Sequence, residues 1–167
     1  MSKITKSQAI FRFFGHIFVG GVLMQILSNF SERLEELIFE SGITQNQLAL
    51  ALKISRGNLC EWITGKHSVT LSNALKLANF FNCSLEFLAG RVETKLSYTP
   101  RPCPSFYERL LQVMREQGKS RYRIVRDTKF SDGNFYSWKK GGDPFLQSVI
   151  ELAVYFGLTL DAFIGRE

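Results

Sequence analysis

The sequence predicts an all-α protein built as two tandem five-helix units, and three observations carry that prediction. Apolar residues recur at helical rather than alternating spacing, so no stretch reads as a strand. Glycines and hydroxyl residues punctuate the chain where helices would stop and start. The chain also repeats itself. At an offset of 76, Phe30, Glu32, Arg33, Leu34, Gly42, Ser55, Gly57, Asn58, Trp62 and Gly65 fall on Phe106, Glu108, Arg109, Leu110, Gly118, Ser131, Gly133, Asn134, Trp138 and Gly141. At an offset of 75, Leu71, Leu77, Ala78, Phe81, Leu85, Gly90 and Arg91 meet Leu146, Leu152, Ala153, Phe156, Leu160, Gly165 and Arg166. The domains are therefore expected at 29–92 and 105–167, the second diverged, with a linker at 93–104 and an extension at 1–28.

Each element follows from its own residues. Leu34, Leu37 and Ile38 form one helical face that stops at Ser41-Gly42. Thr44 caps a second helix carrying Leu48, Ala49, Ala51 and Leu52, and Ser55 caps a third over Arg56 to Thr64, ended by Gly65. Thr70 and Ser84 open two more, Leu71 to Phe81 and Leu85 to Ala89. Ala49 is small because the second and third helices cross there, and Leu48, Leu52, Leu59 and Trp62 fill the wedge between them. Trp62 and Trp138 are read as core residues rather than base-stacking ones. Between the units, Pro100, Pro102 and Pro104 deny a helix and favour an extended connection.

Residues 10–27, IFRFFGHIFVGGVLMQIL, are the most apolar run, and Lys3, Lys6 and Arg12 resemble a basic flank. A spanning helix wants about 20 predominantly apolar residues. Here Arg12, His16 and Gln25 break the run, so a membrane is an unfavoured partner. Two glycine codons shortly before Met24 fit a bacterial-type ribosome-binding sequence, which makes Met24 a candidate start. An apolar docking arm or an anchor are the other readings.

Composition excludes several classes. Hydrophobic residues at 45% and charged residues at 22% suit a globular protein. Cys60, Cys83 and Cys103 form no C-x-x-C pair, and His16 and His67 stand apart, so neither a disulfide framework, a metal site nor a cofactor is expected. A reducing cytoplasm is the simplest location. Paired carboxylates, a nucleophile with its base, and a phosphate-cradling loop are all missing, so no catalytic residue and no small-molecule substrate is assigned.

The pattern Thr44-Gln45-x-x-Leu48-Ala49-x-x-Leu52-x-Ile54-Ser55-Arg56-x-x-Leu59-x-x-Trp62-x-x-Gly65-Lys66 closely resembles the phage-repressor helix-turn-helix family of lambda repressor and Cro, often called XRE. The tail Leu71-x-x-Ala74-Leu75-x-Leu77-Ala78-x-x-Phe81-x-x-Ser84-Leu85-x-x-Leu88-x-Gly90 is similar to the same family, and a weaker form recurs over 106–166. The resemblance implies two lambda-repressor-like DNA-binding domains, double-stranded DNA as partner, and a third helix lying in the major groove. It implies base reading by Arg56, Gly57 and Glu61, with Asn58 able to substitute for Gly57, and phosphate contacts from Gln45, Ser55, Thr64 and Lys66. Ser55 would serve as helix cap and contact together.

The corresponding places in the second unit are Ser131, Asp132, Gly133, Asn134 and Ser137, among Arg121, Arg123, Arg126, Lys129, Lys139 and Lys140. That basic cluster is a DNA clamp or a solvated charged face. The expected function is a bacterial or phage transcriptional regulator of repressor type. Its alternative is a protein-interaction module of antitoxin or anti-repressor type. One chain would span two unequal half-sites, or two chains would form a homodimer through the second unit. Net charge is a weak guide: of the +6, residues 1–28 hold +3 and the linker +1, while the first unit balances six basic against six acidic residues.

Overall fold

The computed structural model describes residues 19–95, 98 and 102–166, with side chains from Asn29 onward. Ten helices are named among them: α1 Val19–Ser41, α2 Gln45–Leu52, α3 Arg56–Ile63, α4 Leu71–Phe80, α5 Leu85–Leu88, α6 Phe106–Glu116, α7 Arg121–Asp127, α8 Asp132–Lys139, α9 Leu146–Phe156 and α10 Leu160–Ile164. No strand occurs among the described residues, only an isolated antiparallel bridge between Thr70 and Phe145. The all-α expectation holds.

The local signals act as read. Thr44 and Gln47 form a capping box, and Ser55 and Ser84 accept the backbone N–H groups of Asn58 and Phe87. Lys53, rather than a glycine, takes the left-handed conformation (φ 53°) that turns α2 toward α3. Two features go beyond the local signals. The first helix, whose start the sequence did not mark, runs continuously from Val19 across position 28/29. Gly20 and Gly21 weaken helix propensity by about 1 kcal/mol each without forbidding the conformation. Residues 1–18, most of the extension, and Pro100 in the linker lie outside the described residues. Thr70 occupies the N-cap position of α4, yet its hydroxyl accepts from the Asn73 side chain instead of the backbone. The free N–H groups of α4 are met from far along the chain: Leu71 N donates to Pro144 O at 2.7 Å, and Ser72 N to Asp143 Oδ1 at 3.1 Å.

Packing follows the apolar faces. Phe30, Leu34, Leu37 and Ile38 bury one stripe of α1 against α3 and α5, while α2 packs on α3 and α4 on α5. Further along, α6 packs on α8 and α10, and α9 on α10. The sets then meet through α4 with α9 and α5 with α10, so the buried side chains form one connected core. Trp62 and Trp138 are 5% and 6% exposed, as expected of core residues.

Candidate nucleic-acid interface

The helix pair α2–α3, joined by residues 53–55, supplies the first candidate surface. Leu48, Ala49, Leu59 and Trp62 are buried and fix the crossing of the two helices, with Leu52 and Ile54 packed partly against them. Ser31 of α1 adds a contact that the sequence reading missed. Its buried hydroxyl donates to the Trp62 carbonyl at 2.6 Å, holding the last turn of α3 to α1. A polar residue beside the apolar stripe of α1 was the only available signal, and an ordinary solvent-facing serine gives the same signal.

With the apolar side of α3 locked inward, its other side faces water. Gln45, Ser55, Arg56, Gly57, Asn58, Thr64 and Lys66 are all exposed, and Glu61 is half-buried. Ser55 Oγ takes the Asn58 N–H at 3.1 Å, so its role as cap is seen directly. Thr64 Oγ1 donates to the Cys60 carbonyl at 2.9 Å, which still leaves the oxygen able to accept. No Cβ contact lies within 4 Å of Gly57, so the exposed face of α3 is open at its first turn. Lys53, Arg56 and Lys66 enter no ion pair among the described residues. Four of the six acidic residues of 29–92, Glu32, Glu35, Glu36 and Glu40, stand instead on α1. A segment with zero net charge is thus polarised, and its helix-turn-helix carries cations outside every ion pair of the described residues.

The pair α7–α8 has similar local architecture and different electrostatics. Ser131, Asp132, Ser137, Lys139 and Lys140 are exposed and Asn134 is half-buried. Asp132, at the head of α8, is held by Arg121 Nη2 at 2.5 Å, and the same guanidinium lies 5.3 Å from the Phe135 ring centroid. Arg126 reaches Asp127 at 2.9 Å and Arg123 reaches it at 3.7 Å, while Lys129 pairs with Glu151 at 2.5 Å. The hydrogen bond from Arg126 holds the Asp127 carboxyl below its ordinary range, and burial together with Asp127 pushes the Tyr155 hydroxyl up. Lys119 donates to the Tyr155 carbonyl at 2.8 Å and lies over the Tyr155 and Phe156 rings, and burial there lowers its pKa. Four of the six cations of this basic cluster are therefore held by three neighbouring carboxylates. Lys139 and Lys140 are its cations without a carboxylate partner among the described residues, Lys140 resting over the Tyr136 ring at 4.6 Å.

Among the described residues, no helix is long and apolar enough to cross a membrane, and no group of His, Cys, Asp or Glu is placed to hold a metal. The buried Cys83 thiol is pushed up to about 11 by desolvation, which makes it an inert core residue, whereas Cys60 is exposed on α3.

A family model described as Helix-turn-helix matches residues 34–88, 55 of the 167 residues. The match spans α2 and α3 entire and supports a DNA-binding helix-turn-helix of the XRE type over that third of the chain. No curated protein and no solved structure matches the chain.

Proposed function

We propose that this protein is a sequence-specific, non-enzymatic DNA-binding transcription regulator of repressor type, whose helix α3 enters the major groove. The observation that carries the reading is the α3 surface itself: a helix capped by Ser55, with an exposed Arg56 at its head that forms no ion pair among the described residues, inside the segment that matches the helix-turn-helix family. A guanidinium outside the ion pairs of the described residues can pair in bidentate fashion with guanine O6 and N7, worth about 1–3 kcal/mol of discrimination. Asn58 and Glu61 extend the base-reading face, and the open position at Gly57 admits a close approach of the groove. Gln45, Ser55, Thr64 and Lys66 flank it as phosphate contacts that set register. In this reading the second set of helices is a diverged copy of the first, joined by the proline-containing linker. Its Arg121, Arg123, Ser131, Asp132, Asn134, Ser137, Lys139 and Lys140 form the companion surface. A cytoplasmic location fits a DNA-directed role.

Binding of the full chain to random-sequence duplexes over a salt series tests this. Log affinity should fall linearly with log salt, by about 0.9 for each phosphate neutralised, and selection from a random pool should enrich a common sequence. Salt-independent binding with no enrichment would refute the proposal. A second reading, docking of a protein partner on the first helix set, draws on Phe39 and Leu50, which are 87% and 82% exposed. Their replacement by serine would abolish function while leaving DNA affinity intact if that reading were the correct one.

A further inference from the structure

Building on the proposed DNA reading, we infer that a single chain is the complete reader of a duplex with two unequal half-sites. The two helix sets are locked about an internal pseudo-two-fold, and the half-site under α3 is specified more strongly than the one under α8.

The lock is visible as a reciprocal exchange between positions 75 residues apart. Leu71 N donates to Pro144 O at 2.7 Å, and Leu146 N returns the contact to Val69 O at 2.9 Å, on either side of the Thr70–Phe145 bridge. The Leu85 N–H at the start of α5 is taken by the Asp161 carboxylate at 2.9 Å, and the Leu160 N–H at the start of α10 by the Glu86 carboxylate at 2.7 Å. Each carboxylate also holds the arginine five residues on, Glu86 with Arg91 at 2.7 Å and Asp161 with Arg166 at 2.9 Å. Contacts in which i meets j and j meets i mark an isologous, two-fold interface. Here both sides belong to one chain. The surface through which a second copy would have to pair with α4 and α5 is already covered by α9 and α10.

The lock also bounds where the two candidate reading helices stand. α3 ends at Ile63, seven residues before Thr70, and α8 at Lys139, six before Phe145. At about 3.3–3.6 Å per residue, the two ends lie within roughly 50 Å, a ceiling that accommodates the ~34 Å between successive half-sites on one face of a duplex.

The halves are unequal because their helix heads differ. Arg56 is exposed and outside every ion pair of the described residues, whereas Asp132 at the matching place is tied to Arg121. Asn134 is half-committed as well: its Oδ1 accepts from the Ser131 backbone and hydroxyl, which removes the acceptor a bidentate adenine contact needs. What α8 still offers is Ser137, Lys139 and Lys140, side chains suited to the phosphate backbone.

The test uses the full chain and a duplex of about 30 base pairs carrying the sequence selected from a random pool. Sedimentation of the complex should give one chain per duplex. Hydroxyl-radical footprints should show two protected segments about one helical turn apart, one rich in sequence information and one poor. Five inserted base pairs turn the second half-site to the opposite face and should weaken binding about 100-fold. Arg56→Ala should relax the preference at one or two positions of the strong half only, leaving stoichiometry unchanged. Two chains per duplex, a palindrome whose halves both fade with Arg56→Ala, or a single protected segment would overturn the single-chain inference while leaving DNA reading standing. Failure to enrich any sequence, with binding indifferent to salt, would overturn both.

Discussion

Replacing Asp161 by alanine should be among the most damaging single changes in the chain. Asp161 is 2% exposed and Arg166 1% exposed, and they meet at 2.9 Å. Without the carboxylate, the Arg166 guanidinium stays buried with only the Cys83 carbonyl at 3.3 Å and Asn79 Oδ1 at 2.6 Å as acceptors. The Leu85 and Glu86 N–H groups, now at 2.9 and 3.3 Å from Asp161 Oδ2, lose their acceptor as well. Removing one partner of a buried pair costs about 3–5 kcal/mol, because the remaining charge is uncompensated. That is a large share of the ~5–15 kcal/mol available to a folded domain. Urea unfolding followed by far-UV circular dichroism measures it. The Asp161→Ala chain should show a lower midpoint and a transition that splits in two, since Asn79, Cys83 and Leu85 lie in the first helix set and Asp161 and Arg166 in the second. Adding Arg166→Met removes the stranded charge and should recover about 1–3 kcal/mol. A single-mutant cost below about 1 kcal/mol, or a double mutant as unstable as the sum of its parts, would refute the reasoning.

Further outcomes follow from the same structure. Arg56→Ala should relax preference at one or two base positions, a loss of about 1–3 kcal/mol at those positions, whereas Lys66→Ala should weaken all duplexes alike and lower the salt slope by about one, both read by competition binding. Gly90 has φ +65°, and a Cβ there would lie 2.7 Å from Asn29 Cβ, so Gly90→Ala should cost at least about 1–2 kcal/mol in thermal or urea unfolding. Under native conditions an alkylating reagent should modify exposed Cys60 first and buried Cys83 only after unfolding, checked by peptide mass. The Cys83 thiol ionises near 9.0 when unfolded and at about 11 when folded, so the folded state holds the proton longer. Stability should therefore decline as pH rises from 9 toward 11, by roughly 2–3 kcal/mol in total, and Cys83→Ser should remove most of that slope.

Much of the fold was legible because its signals are local. Helix caps at Thr44, Ser55 and Ser84 depend on residues three positions away, and the buried faces of Leu34, Leu48, Leu59 and Trp62 follow from helical period. The start of α1 at Val19 was not legible, since Gly20 and Gly21 disfavour a helix there by a cost that other interactions can outweigh. Thr70 does open α4, but that Pro144 and Asp143 take its first N–H groups was not legible, because they lie more than 70 residues away. The face of α3 was readable residue by residue, whereas the state of the second basic cluster was not, because charge on paper carries no information about pairing.

By itself, then, the sequence determined the helical class, the exposed head of α3 and the inward side of Trp62, all of which follow from contacts within a few turns of one helix. Tertiary structure alone decided which charges remain available. Among the described residues Arg56 enters no ion pair while Arg121 is spent on Asp132, and Asp161 and Glu86 cross to cap each other's helices. Those outcomes depend on groups brought within about 3 Å by packing between distant segments, a distance that no local periodicity encodes.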